Sequence, residues 1–167
     1  MNAPRFQPSG ARQMTFSFLH STRSEPPISI PAIGLDLRVC VPPASAGGSL
    51  TAIETTNQPG FGPPLHRHRE TEIFYVLEGR YLFEVDGKRF HAETGEVVTA
   101  PGGSAHAFVN VTEKPARQYI LIVPGLDAVA FFTGLSDIMR DGKADPERLN
   151  AFGKSWNVEF LGPPLRP

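Results

Sequence analysis

Gly60-Phe61-Gly62-Pro63-Pro64-Leu65-His66-Arg67-His68-Arg69-Glu70-Thr71-Glu72-Ile73-Phe74-Tyr75-Val76-Leu77-Glu78-Gly79 is the stretch on which the reading of this chain turns. Residues two apart on an extended strand point to the same side, so His66 and His68 aim at one point. Glu72 keeps their parity if the chain stays extended, and it reaches the same point from a following strand if Arg69-Glu70-Thr71 is a turn. A second stretch, from Gly95 to Asn110, places His106 shortly after the turn signal Pro101-Gly102-Gly103 and at the start of a strand. His66, His68, Glu72 and His106 supply three imidazoles and one carboxylate. That set suits one divalent transition metal (iron, manganese, nickel, copper or zinc) with one or two positions left open for chemistry. A ligand arriving from a distant strand is what the inner face of a closed β-barrel provides.

Outward from these stretches the chain alternates in the manner of short strands. Leu35–Val41, residues 49–56, 72–77, 81–85, 88–92, 97–100, 106–111 and 118–123 are the expected strands. Asp86-Gly87 is a two-residue hairpin signal between two of them. Seventeen prolines and sixteen glycines fit a chain built of strands and turns. After residue 125 the period changes: Val129, Phe131, Phe132, Leu135 and Ile138 recur near helical spacing, and Asp145-Pro146 reads as an N-cap with proline at the first helical position. The expected division is an N-terminal extension over 1–30, a barrel over 31–125 and a helical segment with an apolar tail over 126–167. The first dozen residues are expected to be disordered, and either Met1 or Met14 is the true start. The C-terminal helices are expected to pack outside the barrel, with closure over a cavity mouth or a dimer contact as the sharper alternatives.

Composition narrows the function classes. A net charge of −1 gives no field that would draw the chain to nucleic acid or a membrane surface. No apolar run is long enough to span a bilayer, and the N-terminus lacks a signal peptide's apolar centre, so a cytoplasmic location is expected. Cys40 is the only cysteine, which rules out an internal disulfide, and its alternating strand makes it a small packed residue rather than a nucleophile. His91 has the opposite parity to Phe90 and reads as outward-facing, and His20 lies in a polar stretch far from the others.

The two stretches resemble the paired motifs of the cupin superfamily. The first family motif is matched by Gly60, His66, His68, Glu72 and Gly79, and the second by Gly95, Pro101, Gly103, His106 and Asn110. Fifteen residues separate Gly79 from Gly95, similar to the short spacing of small microbial cupins. The resemblance covers roughly residues 48 to 124. It implies an all-β fold, a double-stranded β-helix or jelly-roll barrel, here with C-terminal helices. The run from Pro63 to Gly79 and the ending Val158-Glu159-Phe160-Leu161-Gly162-Pro163-Pro164-Leu165 are further similar to small cupins of the quercetin 2,3-dioxygenase-like group. That likeness implies a metal-dependent oxygenase whose enediol or flavonol substrate binds the metal directly. The chain carries one copy of each motif, whereas flavonol dioxygenases of that group often carry two.

The expected chemistry follows from the ligand set. A divalent metal with three neutral imidazoles and one carboxylate keeps about one net positive charge and attracts an anionic or enolisable oxygen ligand. Glu72 is expected to double as a general base if it swings off the metal. Strand parity places Phe74, Val76, Phe108 and Asn110 on the ligands' faces, and Tyr81 and Phe83 beside them, as a candidate aromatic lining for a flat substrate. The leading expectation is a dioxygenase that takes a small enolisable or flavonol-like aromatic molecule and dioxygen. A non-oxidative isomerase, lyase or decarboxylase, and a barrel that only binds small molecules, are the alternatives. A homodimer is expected through an open sheet edge and the outward residues Ile73, Tyr75 and Leu77, unless the C-terminal helices cover that face.

Overall fold

The computed structural model describes residues 15–22 and 26–167. The expectations for the first dozen residues and for Met14 lie outside the described residues. The strands are β1 (Ile28–Ile30), β2 (Leu35–Val41), β3 (Thr51–Asn57), β4 (Pro64–Arg67), β5 (Thr71–Glu78), β6 (Arg80–Val85), β7 (Lys88–Glu93), β8 (Val97–Ala100), β9 (His106–Asn110), β10 (Ala116–Val123) and β11 (Glu159–Pro164). Two helices, α1 (Ala128–Ile138) and α2 (Pro146–Ser155), separate β10 from β11. Pairing is antiparallel throughout, in one sheet ordered β1-β2-β3-β10-β5-β8 and a second ordered β11-β4-β9-β6-β7. Two facing sheets whose sequence neighbours cross between them make the jelly-roll barrel that the cupin resemblance implied.

Local chemistry sets the corners. Asp86 and Gly87 both take positive φ, 47° and 77°, which is the two-residue turn whose twist matches the β6–β7 hairpin. Gly79 turns at φ 91°, and a Cβ there would lie 2.6 Å from the Ala116 Cβ, so β5 and β6 join tightly only with glycine at this point. Asp127 and Asp145 cap α1 and α2 by accepting from the amides of Ala130 and Arg148, at 3.1 and 2.9 Å.

Strand pairing crosses the boundaries expected from sequence. Residues 28–30, assigned to the extension, form β1 and pair with β2. The apolar tail is no appendage either: β11 returns to the barrel and pairs with β4, setting Phe160 opposite His66. Pro163 and Pro164 disguised this strand, and they are tolerated because β11 is an edge strand that need not donate on its outer side. The helices pack against Ile30, Ile33 and Leu35 through Phe131, Leu135 and Met139. They leave Ile73, Tyr75 and Leu77 on the outer face of β5, where Tyr75 is exposed. Among the described residues no helix is long and apolar enough to cross a membrane.

Along the barrel axis the inward residues form successive layers. At one end lie Glu72, His106 and Ile122; Glu72 and Ile122 are register partners. The middle is a block of interlocked aromatics, in which Phe74 meets Phe83 and Phe108 at ring-centroid distances of 5.3 and 5.6 Å. Beyond it comes a buried polar layer of Thr55, Asn57, Tyr81, Asn110 and Gln118.

Candidate metal centre and its cavity

His66 sits near the end of β4, His68 just after it, His106 at the start of β9 and Glu72 on β5. The short turn at Arg69 and Glu70 separates His68 from β5, so Glu72 arrives from the next strand rather than by continued extension. His66 and His106 are register partners. The candidate ligand nitrogens of His66, His68 and His106 all lie within 4.8 Å of one another. Glu72 closes the group, with Oε2 3.2 Å from His106 Nε2 and Oε1 3.7 Å from His68 Nε2.

The imidazoles are oriented from behind. His66 Nδ1 donates to the Pro64 carbonyl at 2.8 Å, and His106 Nδ1 donates to the Ser104 carbonyl at 3.1 Å. Each bond fixes the tautomer and turns Nε2 toward the cluster, as in protein metal sites generally. His68 is backed differently. Its Nδ1 stands 3.3 Å from Glu70 Oε2 but outside hydrogen-bond geometry, and Glu70 Oε1 accepts from Arg69 Nε at 2.8 Å. Glu70 is buried, and sequence reading passed over it as part of a turn. Its even spacing from His66, His68 and Glu72 was the available signal.

Charge states match the task. Burial, reinforced by neighbouring His106, lowers His66 to about 3, which keeps its imidazole neutral. For Glu72 burial pushes upward, but the His106 hydrogen bond and the surrounding imidazoles outweigh it and bring the carboxyl to about 2. Burial pulls His106 down, yet the Glu72 carboxylate overcomes this and leaves it raised, so without metal these two form an ion pair. An ionised carboxylate and inward-turned imidazole nitrogens in a buried cluster fit a divalent transition metal by the chemistry of the donors.

A cavity of about 130 Å³ opens onto the cluster. His66, His68, Glu70 and Glu72 form its polar end. Its other walls are Ile53, Ile120, Ile122 and Phe108 from the barrel, and Phe131, Phe132, Leu135, Trp156 and Phe160 from the C-terminal segment. The expectation that the helices merely pack outside the barrel is therefore overturned: they close the open side of the cavity. Gly62 also lines it, and a Cβ there would meet the Phe108 carbonyl oxygen at 1.8 Å, so only glycine lets this loop approach β9.

The residues anticipated as an aromatic lining fall in two places. Of the six candidates, Phe108 lines the cavity. Phe74, Val76, Tyr81 and Phe83 are buried in the barrel's interior instead. Asn110 is spent on structure: Nδ2 donates to the carbonyls of Asn57 and Lys114, and Oδ1 accepts from the amide and hydroxyl of Thr112. Parity correctly turned these side chains inward, but inward residues of a small barrel fill its centre. The space lies to one side, between β3 and β4, under the helices. His91 is exposed on β7 and His20 is exposed as well, both apart from the cluster.

Residues 54–123 match the cupin domain family model. Among curated proteins, an uncharacterized protein of Methanocaldococcus jannaschii is 33% identical over 54 residues, which is 32% of this chain and 43% of that protein. A 5-nitrosalicylic acid 1,2-dioxygenase of a Bradyrhizobium species is 27% identical over 63 residues, covering 38% of this chain and 30% of the enzyme. The chain thus spans less than half the length of these curated relatives. Among solved structures, the polyketide cyclase RemF of Streptomyces resistomycificus superposes with a TM-score of 0.54 at 21% identity, over 65% of this chain and 80% of the cyclase, a likeness of fold alone. Motif, barrel and family model coincide over residues 54–123, where this chain matches the cupin domain.

Proposed function

We propose that this chain is a metal-dependent dioxygenase acting on a small, single-ring aromatic substrate with two adjacent oxygen donors. His66, His68, His106 and Glu72 hold the metal. The observation that carries the reading is the cavity: an apolar chamber of about 130 Å³ with the His-and-carboxylate cluster at its end. A closed apolar cavity of about 150 Å³ holds one benzene ring. That scale narrows the flavonol-like substrate expected from sequence to a single ring. The dioxygenase relative of Bradyrhizobium, whose named substrate has one ring, supports the same narrowing.

A bound iron, manganese, nickel or copper would supply Lewis acidity toward the substrate's oxygens and electrons for dioxygen. The chain's own contributions follow from its geometry. His66 and His106 present fixed, inward nitrogens, and Glu70 stands behind His68. Phe131, Phe132 and Trp156 exclude water and hold a flat ring against the polar end. The surrounding imidazoles keep Glu72 ionised, the form in which a carboxylate holds a metal.

Metal analysis of untagged protein, with oxygen uptake on salicylate, catechol and quercetin, tests the reading. The expected result is about one equivalent of a redox metal, absent from His66→Ala/His106→Ala, with oxygen consumed on a single-ring compound but not on quercetin. Zinc, with turnover that needs no oxygen, would replace the reading with a non-oxidative lyase or isomerase. Failure to take up any divalent ion would leave a small-molecule-binding barrel.

A further inference from the structure

Gln118 is fully buried on β10, yet among the described residues neither its amide nitrogen nor its amide oxygen has a partner in hydrogen-bond geometry. A buried amide without partners is costly and rare, so this one needs a group to meet. The neighbouring hydroxyls send their protons elsewhere, which leaves the amide oxygen without a donor. The Tyr81 hydroxyl interacts with the Gln118 amide, but it donates its proton to Asn57 Oδ1 at 3.1 Å. The Thr55 hydroxyl also turns toward Asn57 Oδ1, at a long 3.4 Å.

The position of this amide is informative. Gln118 shares the inward face of β10 with Ile120 and Ile122, both of which line the cavity. Its register partner on β3 is Thr55, which lines the cavity together with Asn57. Ile122, four positions along the strand, is the register partner of Glu72. About 13 Å of strand therefore separates the polar layer from the metal ligands. The cavity has a metal end, an apolar middle and a second polar end lined by the uncharged Thr55 and Asn57, with the Gln118 amide buried beside Thr55, outside the lining.

Resting on the function proposed above, we propose that Gln118 and Thr55 form a second recognition point for the far end of the substrate, selecting a ring with an uncharged hydrogen-bonding substituent opposite its metal-binding oxygens. Hydroxyl, amide or nitro groups fit; a second carboxylate does not, because the neutral layer offers it no counter-charge and burying it unpaired is expensive. One substituent entering this end gives the orphaned amide its partner, so the preference arises from relieving a defect present in the free protein as well as from a new bond.

Binding of two probes to the metal-loaded full chain, measured by calorimetry without oxygen, tests the proposal. Salicylate offers adjacent oxygens at one end only, and 5-hydroxysalicylate adds a hydroxyl across the ring. The expected result is binding of the second about tenfold tighter than the first. In Gln118→Leu the tenfold preference is lost while salicylate binding is kept, and Thr55→Val weakens the preference. Equal binding to the unmodified protein, or a preference that survives in Gln118→Leu, would overturn the proposal. Failure of both probes to bind would instead sink the single-ring reading of the site. Thermal melting separates recognition from structure. Gln118→Leu should melt at or above the parent's temperature, because it removes an unsatisfied group; a marked drop would make Gln118 a structural residue and overturn the assignment.

Discussion

On the strand side of the cavity, His66 and His106 are each pinned by a backbone carbonyl two residues earlier, Pro64 and Ser104. On the helix side, Phe131 is held by aromatic packing, with ring centroids of Phe132, Phe152 and Trp156 at 5.0, 5.3 and 5.4 Å. The first wall is directional and polar, fixed by the register of β4 against β9. The second is non-directional, and any set of side chains of similar volume and shape satisfies it. The geometry of the His-and-carboxylate cluster is thus a property of the barrel, while the shape of the chamber belongs to the C-terminal segment.

The comparison breaks most visibly under acid in the metal-free protein. His66 has its folded pKa lowered from 6.5 to about 3, so the unfolded chain binds a proton that the folded chain refuses. Stability from this group is complete above 6.5 and declines as pH falls toward 3, by up to on the order of 4 kcal/mol. Glu72, lowered from 4.5 to about 2, adds a loss of the same sign over the lower part of that range. His106 acts oppositely: its raised value stabilises below the unfolded pKa and is lost as pH rises through the folded one. Urea unfolding of chelator-treated protein at pH 7.5 and pH 5 should show a fall in midpoint that is much smaller in His66→Leu. An equal fall in both proteins would remove His66 as the cause. The helix wall contributes no such term, since its cavity-lining residues do not ionise.

Phe131→Ala attacks the other wall. Truncating a buried phenylalanine costs about 3–5 kcal/mol through lost burial and the void it leaves. Calorimetric melting should show that loss, while metal stoichiometry at a temperature where the variant stays folded remains that of the parent. Loss of metal from a folded Phe131→Ala protein would show that the two walls are coupled.

The same contrast explains what the sequence could reveal. His66, His68, Glu72 and His106 were readable as a cluster because they are distinctive residue types at spacings that strand geometry brings together. The barrel was readable from alternation and from turns such as Asp86-Gly87. Nothing comparable marks Phe131, Phe132 or Trp156: helical spacing says that a face is apolar and not what it covers. The place of Phe74, Val76, Tyr81 and Phe83 in the barrel's interior was not readable for the same reason: parity gives direction and not depth. Phe160 stayed hidden because the prolines after it read as an ending. Gln118 gave no signal, since a lone glutamine in an apolar strand shows its isolation only when its neighbours' hydrogen bonds have been counted.

Glu70→Gln sharpens the comparison with the smallest effect. The carboxylate stands 3.3 Å behind His68 Nδ1 and is tied to Arg69, so it sets a negative charge on the side of the ring away from the cluster. The glutamine amide keeps the size and loses the charge. Outer partners of metal-bound histidines are worth about 10–100-fold in metal affinity, and the barrel's fold does not depend on them. Competition with a chelating dye should therefore show weaker binding by that factor, with melting of the metal-free variant close to the parent's. Unchanged affinity would mean that His68 is positioned by β4 alone, as His66 is. A large loss of stability with affinity intact would instead make Glu70 a packing residue, and the strand wall would then owe its order entirely to backbone carbonyls.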